Sequence, residues 1–176
     1  SSADCASGGR RRGVRQLPGR SDNSNVAHPA QDDTSGDMPD LTVRPLTVAR
    51  WADLEALFAA RGCGAARRCW CMYYRRTGRA SELSGGRTRA DASRAALRAL
   101  ARSDLPPGLI AYRARQPVGW ISLGPRDDFA RLKRSSVMKA VDDTPVWSIV
   151  CFVVPAEYRN QGVARGLLEG AISYAR

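Results

Sequence analysis

The sequence predicts an α/β fold, a mixed sheet flanked by helices, on the basis of three observations. Residues 147–154 form an almost unbroken apolar run, which is typical of a strand buried on both faces. From Val163 onward, apolar residues recur at helical spacing, so an amphipathic helix follows that strand. Upstream, a polar break at residues 113–116 separates two short apolar segments, as in a hairpin.

Three further elements complete the predicted order. Residues 41–47 alternate between apolar and polar side chains, like a first strand. A helix follows, and its apolar face consists of Trp51, Leu54, Leu57 and Phe58. A second helix covers residues 89–102, and the Pro-Pro pair at 106–107 prevents it from continuing. The order is therefore strand, two helices, hairpin, strand, loop and helix.

Composition divides the chain into two parts. Residues 1–40 are rich in Ser, Gly, Asp and Asn and poor in large apolar side chains, so we expect a disordered tail, with one domain over residues 41–176. Met38 stands just before the first strand, and we expect the natural protein to start there. No run approaches the roughly 20 apolar residues that a membrane-spanning helix needs, and no signal-peptide core is present. These features favour a cytoplasmic protein without a membrane partner.

The positive charge lies on the predicted domain. The chain has a net charge of +11, yet residues 1–40 contain five Arg and six Asp. A basic domain attracts nucleic acids, acidic surfaces or polyanionic cofactors. Because no helix-turn-helix, zinc-finger or oligonucleotide-barrel pattern is found, we do not expect a nucleic-acid partner.

The loop between the predicted last strand and last helix has the features of a phosphate-binding loop. A helix start carries unpaired amide hydrogens and partial positive charge. Small residues at Gly162 and Ala164 let this backbone approach phosphate oxygens closely, and Arg159 and Arg165 add full charges. The alternative, a surface turn that happens to contain glycine, stays open on spacing alone.

Arg159, Gly162 and Ala164 fill the pattern Gln or Arg, two residues, Gly, one residue, Gly or Ala. In this the loop resembles the acetyl-coenzyme A loop of the GNAT superfamily of N-acetyltransferases. The resemblance implies a bulge in the preceding strand whose backbone binds the pantetheine arm, and loop amides that bind the pyrophosphate. The residues so implied are Cys151, Phe152, Val153, Arg159, Asn160, Gln161, Gly162, Val163, Ala164 and Arg165.

Within that superfamily the chain looks closest to a bacterial group with a Cys-Trp-Cys motif, here at residues 69–71. The resemblance implies that this segment borders the acceptor site. Trp70, Tyr73 and Tyr74 offer flat rings that suit an amine substrate. The same rings could equally cover the core, and both interpretations stay open.

The cysteines do not predict a metal site. Cys63, Cys69 and Cys71 lack Cys-x-x-Cys spacing, and the only histidine, His28, lies in the tail. We therefore predict no metal. Core packing is the first interpretation of these thiols, and a role near the acceptor site is the second.

The sequence identifies no general base or acid. Some family members have a glutamate where this chain has Ser148, which is no strong base. Asp142 and Asp143 could accept a proton or form an ordinary polar turn, and we favour the turn. Glu157, beside the loop, is expected to point to solvent or pair with an arginine.

The resemblance also implies elements beyond the loop helix, a fifth strand among them, so we expect a domain truncated after that helix. The predicted function is transfer of an acetyl group from acetyl-CoA to an unidentified amine on a small molecule or protein. The alternative is a truncated, non-catalytic relative that binds CoA or a protein partner. Homodimerisation is a further hypothesis.

Overall fold

A computed structural model describes residues 41–76 and 88–176 of the chain. The predicted tail, residues 1–40, lies outside the described residues. Within the described part, no helix is both long and apolar enough to cross a membrane.

The predicted elements are present in the predicted order, and two short helices are added. The strands are β1 (Leu41–Pro45), β2 (Gly108–Arg113), β3 (Gln116–Pro125) and β4 (Trp147–Val153). The helices are α1 (Trp51–Ala59), α2 (Gly64–Cys69), α3 (Arg89–Leu100), α4 (Ala130–Arg134) and α5 (Val163–Ala175). The sequence does not predict α2 and α4, because five or six residues are too few to show helical periodicity.

The four strands form one sheet in the order β1-β2-β3-β4, and all three pairs are antiparallel. The α/β class is confirmed, although the sheet expected to be mixed has no parallel pair among the described residues. The expected burial of β4 on both faces is wrong, since Ile149 is 39% exposed and Phe152 is 43% exposed. Within the described sheet β4 pairs only with β3, so its other edge stays open.

The sheet separates two apolar cores. On one face, α1 and α3 pack against Ile110, Tyr112 and Trp120. On the other face, α5 packs against alternate residues of the same strands, among them Leu109 and Ile121. This alternation follows from the two-residue period of a strand, and it places helices on both faces of the sheet.

Helix α5 lies very close to β1. A Cβ atom built on Gly170 would lie 2.8 to 3.0 Å from three side-chain carbons of Val43. A glycine is therefore needed at this crossing, and it sets the position of α5 and of the loop before it.

Candidate functional site

The loop from β4 to α5 turns the chain by means of two left-handed residues. Pro155 ends the strand because it has no amide hydrogen to donate, and a single 3-10 turn follows over Ala156–Tyr158. Asn160 has φ 58° and Gly162 has φ 75°. Both residue types tolerate this conformation, so the chain passes from the strand into the helix within nine residues, 154–162.

The start of α5 is open to an anion. No side chain caps Gly162, and the first turn of the helix contains no acidic residue. The first helical bond runs from the Gly166 amide to the Gly162 carbonyl at 3.0 Å, so the preceding amides have no intrahelical acceptor. Ala164 and Arg165 are exposed beside these amides. The predicted phosphate loop therefore has the required free donors.

Arg113, which sequence analysis missed, fixes this loop from the end of β2. Its Nη2 donates a 2.8 Å hydrogen bond to the Gln161 carbonyl, and its Nη1 donates to Gln161 Oε1. The Gln161 side chain then donates from Nε2 to the Glu157 carbonyl at 2.6 Å. No local pattern marks Arg113, since its partner lies 48 residues away.

The two arginines predicted beside the phosphates have partners within the chain. Arg159 donates from Nε to the Val154 carbonyl and from Nη2 to the Gly62 carbonyl, each at 3.2 Å. Arg165 forms an exposed ion pair with Glu169 at 2.9 Å. Arg159 thus anchors the loop to the α1–α2 connection, whereas Arg165 is held only by a surface pair of low energy.

Strand β4 contains a bulge next to the residues implied to bind pantetheine. Ser122 and Leu123 are consecutive on β3, yet they pair with Cys151 and Ile149. Val150 is therefore the extra residue, and its backbone is left out of the regular ladder. The bulge lies directly before the segment Cys151, Phe152 and Val153.

The bulge borders a cavity of about 320 Å³. Its wall contains Ser148, Ile149 and Val150 of β4, with Tyr74 and Met138 among the facing residues. A second cavity, of about 350 Å³, also contains Tyr74 and Met138 and extends to Tyr73 and Arg131. The Arg131 guanidinium lies 4.4 Å from the centroid of the Tyr73 ring. Tyr74 thus lines both cavities, whereas Tyr73 lines only the second, whose wall contains no residue of β4.

Trp70 lies in the core. It is 8% exposed, stacks on Trp51 at a centroid distance of 5.7 Å and packs against Phe58 at 5.1 Å. It lines neither of the two cavities. Of the two interpretations of Trp70, the structure places it as a packing residue.

The carboxylates considered as bases lie in exposed loops. Asp142 accepts a 2.9 Å hydrogen bond from the Thr144 amide, which lowers the pKa of this carboxyl and makes it a weak proton acceptor. This is the polar turn that the sequence favours. Glu157 is also exposed, while Ser148 lines the smaller cavity.

Of the four cysteines in the described residues, Cys63 and Cys71 are buried, whereas Cys69 and Cys151 are partly exposed. The Trp120 indole donates a 3.2 Å hydrogen bond to Cys71 Sγ, and the Cys69 thiol donates to the Ala66 carbonyl at 3.9 Å. Burial raises the pKa of Cys63. No group of three or more Cys, His, Asp or Glu in residues 41–76 and 88–176 is arranged to hold a metal ion.

A comparison with family models decides the family. The model described as the acetyltransferase (GNAT) family matches residues 79–176, which include β2 to β4, the loop and α5. The chain belongs to the GNAT acetyltransferase family. The matched region of this GNAT domain thus contains the bulged strand, Gly162 in its left-handed conformation and the uncapped start of α5. No curated protein matches the sequence at a significant level.

Solved structures similar to this GNAT chain include several acetyltransferases. An aminoglycoside N-acetyltransferase in complex with CoA is 16% identical, with 77% of this chain and 68% of that chain covered and a TM-score of 0.48. A ribosomal-protein-alanine N-acetyltransferase from Brucella melitensis biovar Abortus is 13% identical, with coverages of 77% and 72% and a TM-score of 0.43. An aminoglycoside 6'-N-acetyltransferase from Acinetobacter haemolyticus is 17% identical, with coverages of 76% and 70% and a TM-score of 0.44.

Proposed function

We propose that this GNAT protein transfers an acetyl group from acetyl-CoA to an amine on a small molecule or protein. One observation carries the proposal: the bulge at Val150 and the uncapped start of α5 are joined by a single short loop. In the family to which the chain belongs, a strand and loop of this kind serve the acyl-CoA donor.

The donor-binding residues follow from the free backbone groups. The Arg159 amide already bonds to the Ala156 carbonyl at 3.5 Å, so the amides of residues 160–164 would hold the pyrophosphate, and Gly162 allows the close approach. Arg113 keeps these amides in place through Gln161. Backbone groups of Cys151, Phe152 and Val153, next to the bulge, would hold the pantetheine arm.

The acceptor would enter through the cavity beside the bulge and its neighbour, which share Tyr74 and Met138. Tyr73 and Tyr74 provide aromatic surface there, which suits the apolar and cationic parts of an amine. When bound, acetyl-CoA supplies a thioester-activated acetyl group. Backbone amides beside the bulge stabilise the negative charge that develops on the carbonyl oxygen. The amine must react in its neutral form, so the rate should rise with pH until the amine is deprotonated.

A second function, CoA binding without catalysis, is favoured by the composition of the cavity walls. Among the described residues, the linings of the cavity beside Val150 and of its neighbour include no carboxylate and no histidine, whereas Asp127, Asp142 and Asp143 line a separate cavity of about 270 Å³. A general base of ordinary strength is therefore not assigned from these walls.

Calorimetry with acetyl-CoA tests the donor site. Gly162→Glu places an anion in the loop. Gly162→Gln is the control, because glutamine is nearly the same size as glutamate and causes the same backbone strain at φ 75°, but has no charge. We expect wild type to bind, the Gln variant to bind more weakly, and the Glu variant to lose binding. Equal affinity of all three proteins would refute the placement of the pyrophosphate.

Thiol release from acetyl-CoA in the presence of amine panels then separates an enzyme from a binding protein. Amine-dependent release that is lost in Gly162→Glu supports acetyl transfer. Binding of acetyl-CoA without release on any amine supports the second function.

We also propose that the protein is cytoplasmic and that it forms a homodimer. Fractionation of cells that produce the natural protein tests the location. Sedimentation over a range of concentrations tests the dimer, and a single monomer mass throughout that range would refute it.

A further inference from the structure

A cationic cavity adjoins the cavity at the bulge of β4. We call the cavity of about 320 Å³ beside Val150 the bulge cavity and its neighbour of about 350 Å³ the arginine cavity. Tyr74 and Met138 belong to both walls, so the two cavities meet at these side chains. The arginine cavity has an aromatic and cationic wall, without a carboxylate among the described residues that form it: Tyr73, Tyr74, Arg131, Arg134, Ser135 and Met138.

Arg131 is fixed in this wall by uncharged groups. Its backbone amide donates to the Tyr74 carbonyl at 3.0 Å, and its Nε donates to the Arg76 carbonyl at 2.9 Å. The guanidinium lies 4.4 Å from the centroid of the Tyr73 ring. Because these contacts use only the Nε–H of the guanidinium, its Nη groups have no acceptor within the described residues. Arg131 is thus held in place with most of its donors free.

The positive charge of the wall is not neutralised within the described part of the chain. Neither Arg131 nor Arg134 forms an ion pair with any residue of 41–76 or 88–176. Asp127 and Asp128, the carboxylates nearest in sequence, pair with other cations, at 3.0 Å and 3.1 Å. Two guanidinium groups therefore face one cavity without a counter-ion from these residues.

Arg126, in the wall of the bulge cavity, is in a different situation. Its Nη2 already donates to the Met138 carbonyl at 2.5 Å and to the Leu132 carbonyl at 3.4 Å. It also borders the separate cavity that contains three aspartates. An anion in the acceptor site is therefore assigned to Arg131 and Arg134.

A guanidinium is suited to carboxylates and phosphates, because its planar fork of N–H groups can donate two parallel hydrogen bonds to them. A cationic group in the same place would be repelled by both arginines. Arg131 also covers one face of the Tyr73 ring, so this face cannot receive a cationic amine. Amines with a second positive charge are thus disfavoured.

We propose that the acceptor is a small primary amine whose other end carries a carboxylate or a phosphate group. Arg131 and Arg134 bind the anion, the carbon chain passes Tyr74 and Met138, and the amine reaches the bulge cavity. The role of the amine rests on the proposed acetyl transfer, whereas the anion site depends on the arginine cavity alone.

A series of amines of similar length tests this substrate class. Butylamine, 4-aminobutyrate, 3-aminopropylphosphonate and 1,4-diaminobutane differ in the group at the far end, which is methyl, carboxylate, phosphonate or ammonium. Thiol release from acetyl-CoA gives kcat/KM for each, compared at equal concentrations of the neutral amine because their amino groups differ in basicity. We expect at least one anionic amine to exceed butylamine about tenfold, and 1,4-diaminobutane to fall below butylamine. The better of the two anions tells a carboxylate substrate from a phosphate substrate.

Reversal of one charge should reverse the preference. Arg134 is exposed, so Arg134→Glu should fold, and it should favour 1,4-diaminobutane over 4-aminobutyrate. Arg102→Glu is the matched control: it makes the same change of charge at an exposed position that lines neither cavity, and it should leave the order of the amines unchanged.

Two outcomes of thiol release separate this inference from the proposed function. If butylamine or 1,4-diaminobutane reacts as well as both anionic amines, acetyl transfer stands and the anionic class is overturned. If no amine releases thiol, acetyl transfer fails, and the anion site is judged by binding alone.

Saturation-transfer NMR with butyrate and propylphosphonate measures that binding without any reaction. Transfer to either anion that Arg134→Glu abolishes and Gly162→Glu retains places the anion in the arginine cavity. Transfer that Gly162→Glu abolishes instead places it on the loop before α5 and overturns the inference. Absence of transfer to both anions overturns it as well.

Discussion

The guanidinium of Arg113 holds the carbonyl oxygen of Gln161 at 2.8 Å, and thereby ties the loop before α5 to the end of β2. Strand β2 is an interior strand of the sheet, so a rigid element supports the loop. Because the loop amides must keep their direction to hold an anion, this contact bears on the affinity for the donor.

Arg113→Met tests the contact. The variant removes both hydrogen bonds while it retains a long apolar side chain, and we expect acetyl-CoA affinity to fall about fivefold, equivalent to about 1 kcal/mol. Arg115→Met, in the exposed turn between β2 and β3, removes the same charge without touching the loop. Calorimetry that shows equal losses for both variants would attribute the effect to charge alone.

The pKa of Cys69 predicts an unusual pH dependence of alkylation. The thiolate is the nucleophile, and a folded-state pKa of about 6 populates it at lower pH than for an ordinary thiol. The rate of Cys69 alkylation by iodoacetamide should therefore be half-maximal near pH 6. In urea-unfolded protein the midpoint should move to about pH 8.5, the usual value for cysteine.

Cys71→Ala removes the largest cause of the low pKa, so the Cys69 midpoint should move upward in the folded variant. The shift should be partial, because backbone hydrogen bonds to Cys69 also lower its pKa. An unchanged midpoint in Cys71→Ala would show that the Cys71 thiol does not stabilise the thiolate.

Trp70 and Tyr73 should respond differently to truncation. Trp70→Ala empties a core position that is 8% exposed, and the free energy of unfolding should fall by about 3–5 kcal/mol. Tyr73 is 56% exposed, so Tyr73→Ala should lower the free energy of unfolding by less than about 1 kcal/mol. Urea denaturation measures both. If Trp70→Ala loses little stability but no longer acetylates amines, Trp70 belongs to the acceptor site and not to the core alone.

Gly170→Ala should destabilise the protein even though alanine is the better helix former. Alanine gains about 1 kcal/mol in helix propensity, but its methyl group would press on the branched carbons of Val43, at a cost of about 1–3 kcal/mol. We expect a lower melting temperature. Gly166→Ala is the matched control, since its methyl group meets only the flexible end of Leu41, which can rotate away. Equal melting temperatures of the two variants would contradict the argument.

The sequence predicted the site's backbone better than its side chains. The β4–loop–α5 unit follows from an apolar run, a proline and a helical stripe, all of which act within a few residues. The bulge residue itself, Val150, could not be found in this way, because its extra position exists only relative to the pairing with β3.

The sequence by itself determined the order of elements, the buried face of α1 and the phosphate-loop pattern at residues 159–164. These depend on local periodicity and on the backbone preferences of Pro and Gly.

Only the tertiary structure decided that Arg113 supports the loop, that Trp70 packs in the core and that the Trp120 indole bonds to Cys71. Each of these contacts joins residues from different elements, and strand register and helix packing set their distances. Local sequence patterns do not determine those distances. Such contacts form only once the sheet has formed and the helices have packed on it.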